Sequence, residues 1–376
     1  MHNFRTVPDI RIERGGAVKM DVHIDGLCHN KRVFIVTDVG VHGLGLLDGA
    51  KEALREAGYE AQIFDQVVAD PPEDIVLAGA QRARDFGAGL VLGFGGGSPM
   101  DTAKVIALLA GSDQPIEKMY GVGLATGPRL PLVLVPTTAG TGSEVTNVAI
   151  ITTGKTEKQG IVANPLYADR VLLDAELTIG LPKMISAATG IDAMVHAIEA
   201  YTSLPQKNPL SDALALSALT KLRDGIEDVC KDGRDIKARE NMLVGAMLAG
   251  QAFSNAPCAA VHALAYPLGG FFHIPHGLSN ALVLTGIMHY NLPKADTLYG
   301  EIAAHMRLGR AGTDLIDEMQ RIKDATDVPQ TLSSVDIPGS AIAMMAADAM
   351  TKTRLLINNP RAMTLAATVQ IYEDIA

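Results

Sequence analysis

Asp192 and His196 stand four residues apart in GIDAMVHAIE, a stretch that reads as helix. Residues at i and i+4 lie on one helix face, so a carboxylate and an imidazole there can reach the same ion. His262 and His276 follow later, with Pro267, Gly269, Gly270 and Pro275 between them. That interval suits one ligand on a helix and another just past a turn. One Asp and three His form a nitrogen-rich, thiolate-free donor set, suited to a divalent first-row ion, Fe2+ or Zn2+, rather than Ca2+ or Mg2+. Taken singly, each histidine reads as a surface or core residue. The set reads differently, because four of the ten histidines (His262, His273, His276 and His289) fall between residues 241 and 293, where there is no Asp, Glu, Lys or Arg. An imidazole buried in such a stretch needs a partner.

A second kind of chemistry is suggested by Gly95-Gly96-Gly97-Ser98-Pro99, which follows an apolar run at residues 89–94. Glycines let backbone N–H groups approach a phosphate without Cβ obstruction. Ser98 is expected to cap a helix beginning at Pro99, and such a helix start binds pyrophosphate without a lysine. The spacing departs from the usual dinucleotide fingerprint, since Ser98 stands where a final Gly or Ala is wanted and no acid follows at the usual distance. Asp38, ending an earlier apolar run, is the acid placed to read a ribose and repel a 2′-phosphate; alone it would pass for a turn residue or helix cap. The loop 136–144 (PTTAGTGSE) adds hydroxyls, Thr137 and Thr138 among them, at the same expected sheet edge.

These residues need elements to hold them. Strand-like runs at 31–38, 61–64, 89–94 and 131–135 alternate with helix-like runs at 49–58, 72–86 and 98–110, which argues for a mostly parallel sheet wrapped by helices. Residues 147–152 and 170–174 read as the last strands. After Leu181 the β-branched runs give way to long Ala, Leu and Met stretches. The expected architecture is an α/β, Rossmann-like dinucleotide-binding domain over residues 1–180, then an α-helical metal and substrate domain over 181–376.

Composition narrows the function. The 376 residues carry a formal charge of −10 without a Lys/Arg-rich tract, which argues against nucleic acid and anionic membrane as partners. Aromatics are 4% with no Trp, too few for stacking platforms. Cys28, Cys230 and Cys258 are too scattered for a disulfide framework, and a reducing compartment, the cytoplasm, is expected. The charge-free stretch 241–293 is broken by Gln, Asn, Pro and His, which argues for buried helices rather than a membrane span.

Four strings, GGGSPMDTAK (95–104), PTTAGTGSEVT (136–146), ATGIDAMVHAIEAY (188–201) and VHALAYPLGGFFHIPHGLSNALVL (261–284), resemble the iron-containing, group III alcohol dehydrogenases, in order and across nearly the whole chain. The resemblance implies that NAD(P) in the first domain meets a metal-held alcohol or aldehyde in the second. By motif position it implies Asp192, His196, His262 and His276 as metal ligands. Gly95, Gly96, Gly97, Ser98, Thr137 and Thr138 become cofactor contacts, Asp38 the acid favouring NAD over NADP, and Lys158 a nucleotide-contacting lysine. One position departs from the pattern: members similar to lactaldehyde reductase carry a histidine, thought to help move the alcohol proton, where this chain has Tyr266. Tyr266 and His273 are therefore the candidates for shaping the proton path.

The expected activity is hydride transfer between NAD and a small primary or secondary alcohol/aldehyde pair, with Fe2+, or Zn2+ as the alternative, acting on the alcohol oxygen. Small alcohols and aldehydes, and a second copy of the chain in a homo-oligomer, are the expected partners. A hydroxyacid–oxoacid transhydrogenase or a dehydroquinate-synthase-like enzyme would use the same scaffold. The lack of Lys and Arg from 241 to 293 speaks against the latter.

Overall fold

The structure is a computed structural model that describes residues 3–154 and 157–376. The chain divides into two compact units, one of Thr6–Thr138 with Gly142–Gly180, the other of Leu181–Ala376 with Ala139–Thr141 and the extreme N-terminus.

The first unit contains β1 (Ile10–Ile12), β2 (Arg32–Asp38), β3 (Glu60–Val67), β4 (Leu90–Gly95), β5 (Gly121–Val122), β6 (Leu132–Pro136), β7 (Val148–Thr153), β8 (Glu157–Val162) and β9 (Arg170–Leu173). Between them lie the helices α1 (Met20–Ile24), α2 (Val39–Gly43), α3 (Asp48–Glu56), α4 (Glu73–Phe86) and α5 (Gly97–Gly111). Six strands form one parallel sheet in the order β1-β9-β6-β4-β2-β3. Every residue of β4 and β6 is buried. That is why these strands read as unbroken apolar runs, since a parallel sheet is covered on both faces. Val33, Ile35, Leu90, Leu92, Phe94, Val133 and Val135 belong to one core cluster.

Strand order decides where a ligand binds. From β2 the chain goes outward to β3, whereas from β4 it goes the other way to β6, so the connections leaving β2 and β4 diverge. Open α/β sheets bind ligands at the carboxyl ends of the strands where this reversal occurs. Asp38 ends β2 and Gly95 ends β4.

Two expectations need correction. Residues 148–153 are not part of the main sheet: β7 pairs antiparallel with β8, which pairs parallel with β5, in a separate three-stranded sheet. The helix after the glycines starts earlier than Pro99, with Gly96 as N-cap and Gly97 as its first residue. Ser98 therefore makes no side-chain cap, and Pro99 is tolerated because the N–H groups of a whole first turn have no intrahelical acceptor.

The second unit is helical: α6 (Lys183–Thr202), α7 (Pro209–Lys231), α8 (Ile236–Asn255), α9 (Ala260–Phe272), α10 (His276–His305), α11 (Gly312–Thr326), α12 (Ile342–Ala349), α13 (Thr353–Leu356) and α14 (Leu365–Glu373). The central α6 packs on α7, α8 and α10, and α9 packs on α10 and α12. Sixteen of the twenty α6 residues are buried, which explains a sequence apolar on all sides. Among the described residues no helix is long and apolar enough to cross a membrane. The cysteines are free thiols.

Candidate metal centre and nucleotide loop

Three helices of the second unit deliver the four candidate ligands. Asp192 and His196 lie mid-way along α6, His262 is in the first turn of α9, and His276 is the first residue of α10. The α9–α10 link turns sharply because His273 adopts a left-handed conformation (φ 56°). Its N–H donates to Gly269 O (3.0 Å) and that of Ile274 to Leu268 O (3.3 Å), a paired helix-ending motif. The next contact depends on a glycine. A Cβ at Gly277 would stand 2.4 Å from Ala188 O and 3.3 Å from Asp192 Cβ, so its absence lets the start of α10 lie directly on α6.

The result is convergence. One ligand atom from each of Asp192, His196, His262 and His276 falls within 4.8 Å of the others. Asp192 Oδ1 is 3.9 Å from His196 Nε2, 3.9 Å from His262 Nε2 and 3.7 Å from His276 Nε2. Donors about 2.1 Å from a tetrahedral ion would stand roughly 3.4 Å apart, so the three distances to Asp192 need contract by only a few tenths of an ångström. Asp192, His196 and His262 are nearly inaccessible, while the His276 side chain is 36% exposed, leaving one side of the cluster open.

Electrostatics favour a cation here. Burial opposes charge on Asp192, but His196, His276, His262 and the Asn280 amide outweigh it and hold its pKa below the usual value. Burial pushes His196 down to about 3, keeping that imidazole neutral with its lone pair free. Burial also opposes charge on His262, yet Cys258 and Glu199 lift its pKa well above the ordinary range. Asn280 carries a further sign. Its Nδ2 donates to Asp192 Oδ1 (2.6 Å) and faces Nε2 of His262 (3.3 Å) and of His276 (3.4 Å), while its buried Oδ1 has no hydrogen-bond partner among the described residues. Metal-ligating atoms thus surround one small electropositive group, the arrangement a small cation requires, so these residues fit a divalent metal, which on binding would displace the proton from His262 Nε2.

Tyr266 sits one turn beyond His262 on α9, its ring centroid 6.3 Å from that of His276. Burial raises its pKa, so the phenol keeps its proton and is a donor, not a base, near neutrality. His273 is exposed at the helix end.

In the first unit, Asp38, the glycines and the threonines gather at one sheet edge. Asp38 Oδ1 accepts from Val41 N (2.9 Å) and caps α2, so the plain cap reading of this residue holds for one oxygen. Its Oδ2 is 3.5 Å from where a Cβ on Gly95 would stand. Gly95 has φ 155° and a Cβ there would come within 2.7 Å of Pro99, so glycine is demanded. Thr137 N donates to Gly95 O (2.9 Å), and the Thr138 side chain flanks Gly96. Lys158 is on β8, with Nζ 2.7 Å from Asp70 Oδ1, an ion pair that a nucleotide contact would have to open.

Three residues at the metal cluster drew no role from sequence reasoning: Glu199, Cys258 and Asn280. Glu199 Oε2 lies 2.7 Å from His262 Nδ1. A periodic signal existed for two of them, since Glu199 extends Asp192 and His196 at i+7 and Asn280 follows His276 at i+4. Cys258 had none.

Comparison with known proteins agrees with this geometry. Residues 8–175 match the iron-containing alcohol dehydrogenases, and residues 186–376 match the C-terminal part of the Fe-containing alcohol dehydrogenase family. Long-chain-alcohol dehydrogenase 1 of Geobacillus thermodenitrificans is 37% identical over 356 residues, 91% of this chain and 89% of that protein. The crystal structure of a 1,3-propanediol oxidoreductase superposes with a TM-score of 0.95 at 31% identity, covering 100% of both chains. The structure of sulfoacetaldehyde reductase from Bifidobacterium kashiwanohense in complex with NAD+ gives 0.91 at 26% identity, covering 100% of this chain and 99% of that one. With both of its units matched and relatives spanning nearly its full length, the chain belongs to the iron-containing alcohol dehydrogenase family, whose NAD-dependent alcohol/aldehyde oxidoreductase chemistry it shares.

Proposed function

We propose that Asp192, His196, His262 and His276 hold one Fe2+ ion, and that the chain interconverts a small, uncharged alcohol and its aldehyde or ketone with NAD+/NADH. The observation that carries this reading is the convergence of one carboxylate oxygen and three imidazole nitrogens within 4.8 Å, on three separate helices. A divalent ion bound there would supply Lewis-acid polarisation of the substrate oxygen. The protein's own contribution is positioning. Asp192 supplies the negative charge, and neutral His196 a lone pair that needs no deprotonation first. The buried walls of Asp192, His196 and His262 exclude water on one side, and the half-open side at His276 is where substrate enters. Tyr266 shapes that side, its phenol donating to the substrate oxygen or to water rather than removing a proton.

On the sheet, unpaired N–H groups of Gly97, Ser98 and their neighbours at the start of α5 would receive the pyrophosphate, with the Thr137 and Thr138 hydroxyls beside them. Asp38 Oδ2 would accept from a ribose hydroxyl. The relatives named above act on long-chain alcohols, 1,3-propanediol and sulfoacetaldehyde. The charge-free stretch 241–293, which supplies His262, Tyr266 and His276, supports the uncharged members of that range. The free thiols support a reducing, cytoplasmic setting.

The test is an anaerobic assay of Fe2+-loaded protein with NAD+ across a panel of alcohols, alongside metal analysis of His262→Ala and His276→Ala. Each variant should stay folded, lose its metal and lose turnover. Wild-type metal content in both would sink the ligand assignment, and an inactive, metal-replete wild type across the panel would sink the substrate class.

A further inference from the structure

Glu199 is 4% exposed and gathers three N–H groups on one carboxylate. Its Oε1 accepts from Val261 N (2.7 Å), and its Oε2 accepts from Ala259 N (2.9 Å) and lies 2.7 Å from His262 Nδ1. Ala259 and Val261 flank the start of α9, where N–H groups lack intrahelical acceptors and where Ala259 has no side chain to cap them. A side chain from α6 therefore caps the helix that carries His262. The same carboxylate also sets the histidine's tautomer. A carboxylate only accepts, so Nδ1 carries a proton, and the proton that leaves when a metal binds is the one on Nε2, the nitrogen that faces the cluster formed with Asp192, His196 and His276.

We propose that Glu199 is a positioning residue of the metal centre: one carboxylate fixes both the start of α9 and the Nδ1–H tautomer of His262, and so aims Nε2 at the metal. The inference rests on His262 being a ligand. Asp192, His196 and Glu199, at i, i+4 and i+7, make one face of α6 supply two ligands and the support of a third.

A rival use of the same atoms is a second metal site, since Glu199, Cys258 and His262 also offer ligand atoms within 4.8 Å of one another. The hydrogen bonding argues against it. Both carboxylate oxygens already hold N–H donors, and a cation at Nδ1 would have to expel the proton and release the first turn of α9.

Cobalt separates these possibilities, because Co2+ at such a site has a visible absorption that reports the number and kind of ligands. Full-length protein would be stripped with chelator and titrated with Co2+ in competition with a chelator of known affinity. In Glu199→Gln the amide offers one acceptor oxygen where three donors converge, and its NH2 group turns His262 toward the Nε2–H form. The apo variant should remain folded by circular dichroism, bind Co2+ about 10–100-fold more weakly, and show an altered visible band. Glu199→Asp keeps the acceptor charge with less reach and should fall between Gln and wild type; this comparison decides the matter even where the Gln variant folds poorly.

Unchanged Co2+ affinity and spectrum in Glu199→Gln would overturn the proposal. So would equal affinity losses in Asp and Gln variants that track lowered apo melting temperatures, which would make Glu199 a helix cap only. A second Co2+ equivalent that disappears in Cys258→Ala would favour the rival site and overturn it as well. If wild-type protein binds no Co2+ that depends on His276, the ligand assignment itself fails, which is a separate result.

Discussion

Asn280 Nδ2 donates to Asp192 Oδ1 over 2.6 Å, reaching from the second turn of α10 back to the middle of α6. The pair ties the two helices together at the cluster. Without a metal, this amide offsets the crowding of acceptor atoms; with a metal bound, the ion takes over most of that task. Asn280→Leu should therefore destabilise the metal-free protein by roughly 1–3 kcal/mol and the metal-loaded protein by less. The rise in melting temperature on adding Fe2+ anaerobically should be larger in the variant than in wild type. Equal rises in both would refute this account of the amide.

Asp38 divides its work between two oxygens, Oδ1 capping α2 and Oδ2 facing the glycine turn. A 2′-phosphate would bring negative charge against Oδ2, so NAD+ should be preferred to NADP+ by severalfold or more in kcat/KM. Asp38→Gly should narrow the gap while lowering the melting temperature slightly through the lost cap, a cost of roughly a few tenths of a kcal/mol. Asp38→Asn keeps an acceptor for Val41 N and should narrow the gap with less thermal cost. A wild-type enzyme that uses both cofactors equally would remove Asp38 from this role.

The glycines of the turn differ in what they tolerate. At Gly95, φ 155° and the approach of Pro99 leave no room for a Cβ, whereas a Cβ at Gly96 would meet only Thr138 at 3.5 Å. Gly95→Ala should lower both stability and NAD+ affinity. Gly96→Ala should fold normally and lose NAD+ affinity alone, because the methyl group would stand where a phosphate approaches backbone N–H groups. Calorimetric melting and NAD+ titration of the pair distinguish the two; normal NAD+ affinity in Gly96→Ala would exclude that residue from the contact.

Tyr266 and His273 separate on structural grounds. The phenol holds its proton too tightly to act as a base, and His273 serves the turn that delivers His276. Tyr266→Phe should keep most of kcat and shift KM or substrate preference. His273→Gly, which suits the left-handed backbone, should fold at least as well as wild type and lose less activity than removal of any ligand. A collapse of kcat in Tyr266→Phe with metal and NAD+ bound normally would make the phenol catalytic.

Glu144, 2% exposed in the polar loop after β6, has its pKa raised from 4.5 to about 7 by burial. Between those pH values the folded protein keeps a proton that the unfolded chain releases, so stability falls as pH rises through the interval and then levels off. The full span is roughly 3 kcal/mol. Glu144→Gln should flatten this slope and raise the melting temperature more at pH 8 than at pH 5. An equal change at both values would mean that the carboxyl is ionised throughout.

Local periodicity made part of this protein legible. The pairing of Asp192 with His196 follows from helix geometry alone, and the strand ends at Asp38 and Gly95 follow from buried apolar runs that stop at turn-forming residues. The two-part architecture followed from the change in patterning after Leu181. What needed the tertiary structure was the set of supporting contacts between elements distant in sequence. No spacing rule places Glu199 against Ala259 and Val261, or Asn280 against Asp192, because those contacts depend on how α9 and α10 lie on α6, and Gly277 decides how closely. The short strand β1 and the half-exposed β8 gave little apolar signal, so β7 was read without its partner. The start of α5 moved ahead of Pro99 because backbone geometry at Gly96, rather than a serine side chain, begins that helix. Chain chemistry alone set which groups were available for metal and nucleotide; packing decided which of them meet, since a contact between distant residues is fixed by the surfaces that must be buried together and not by local sequence.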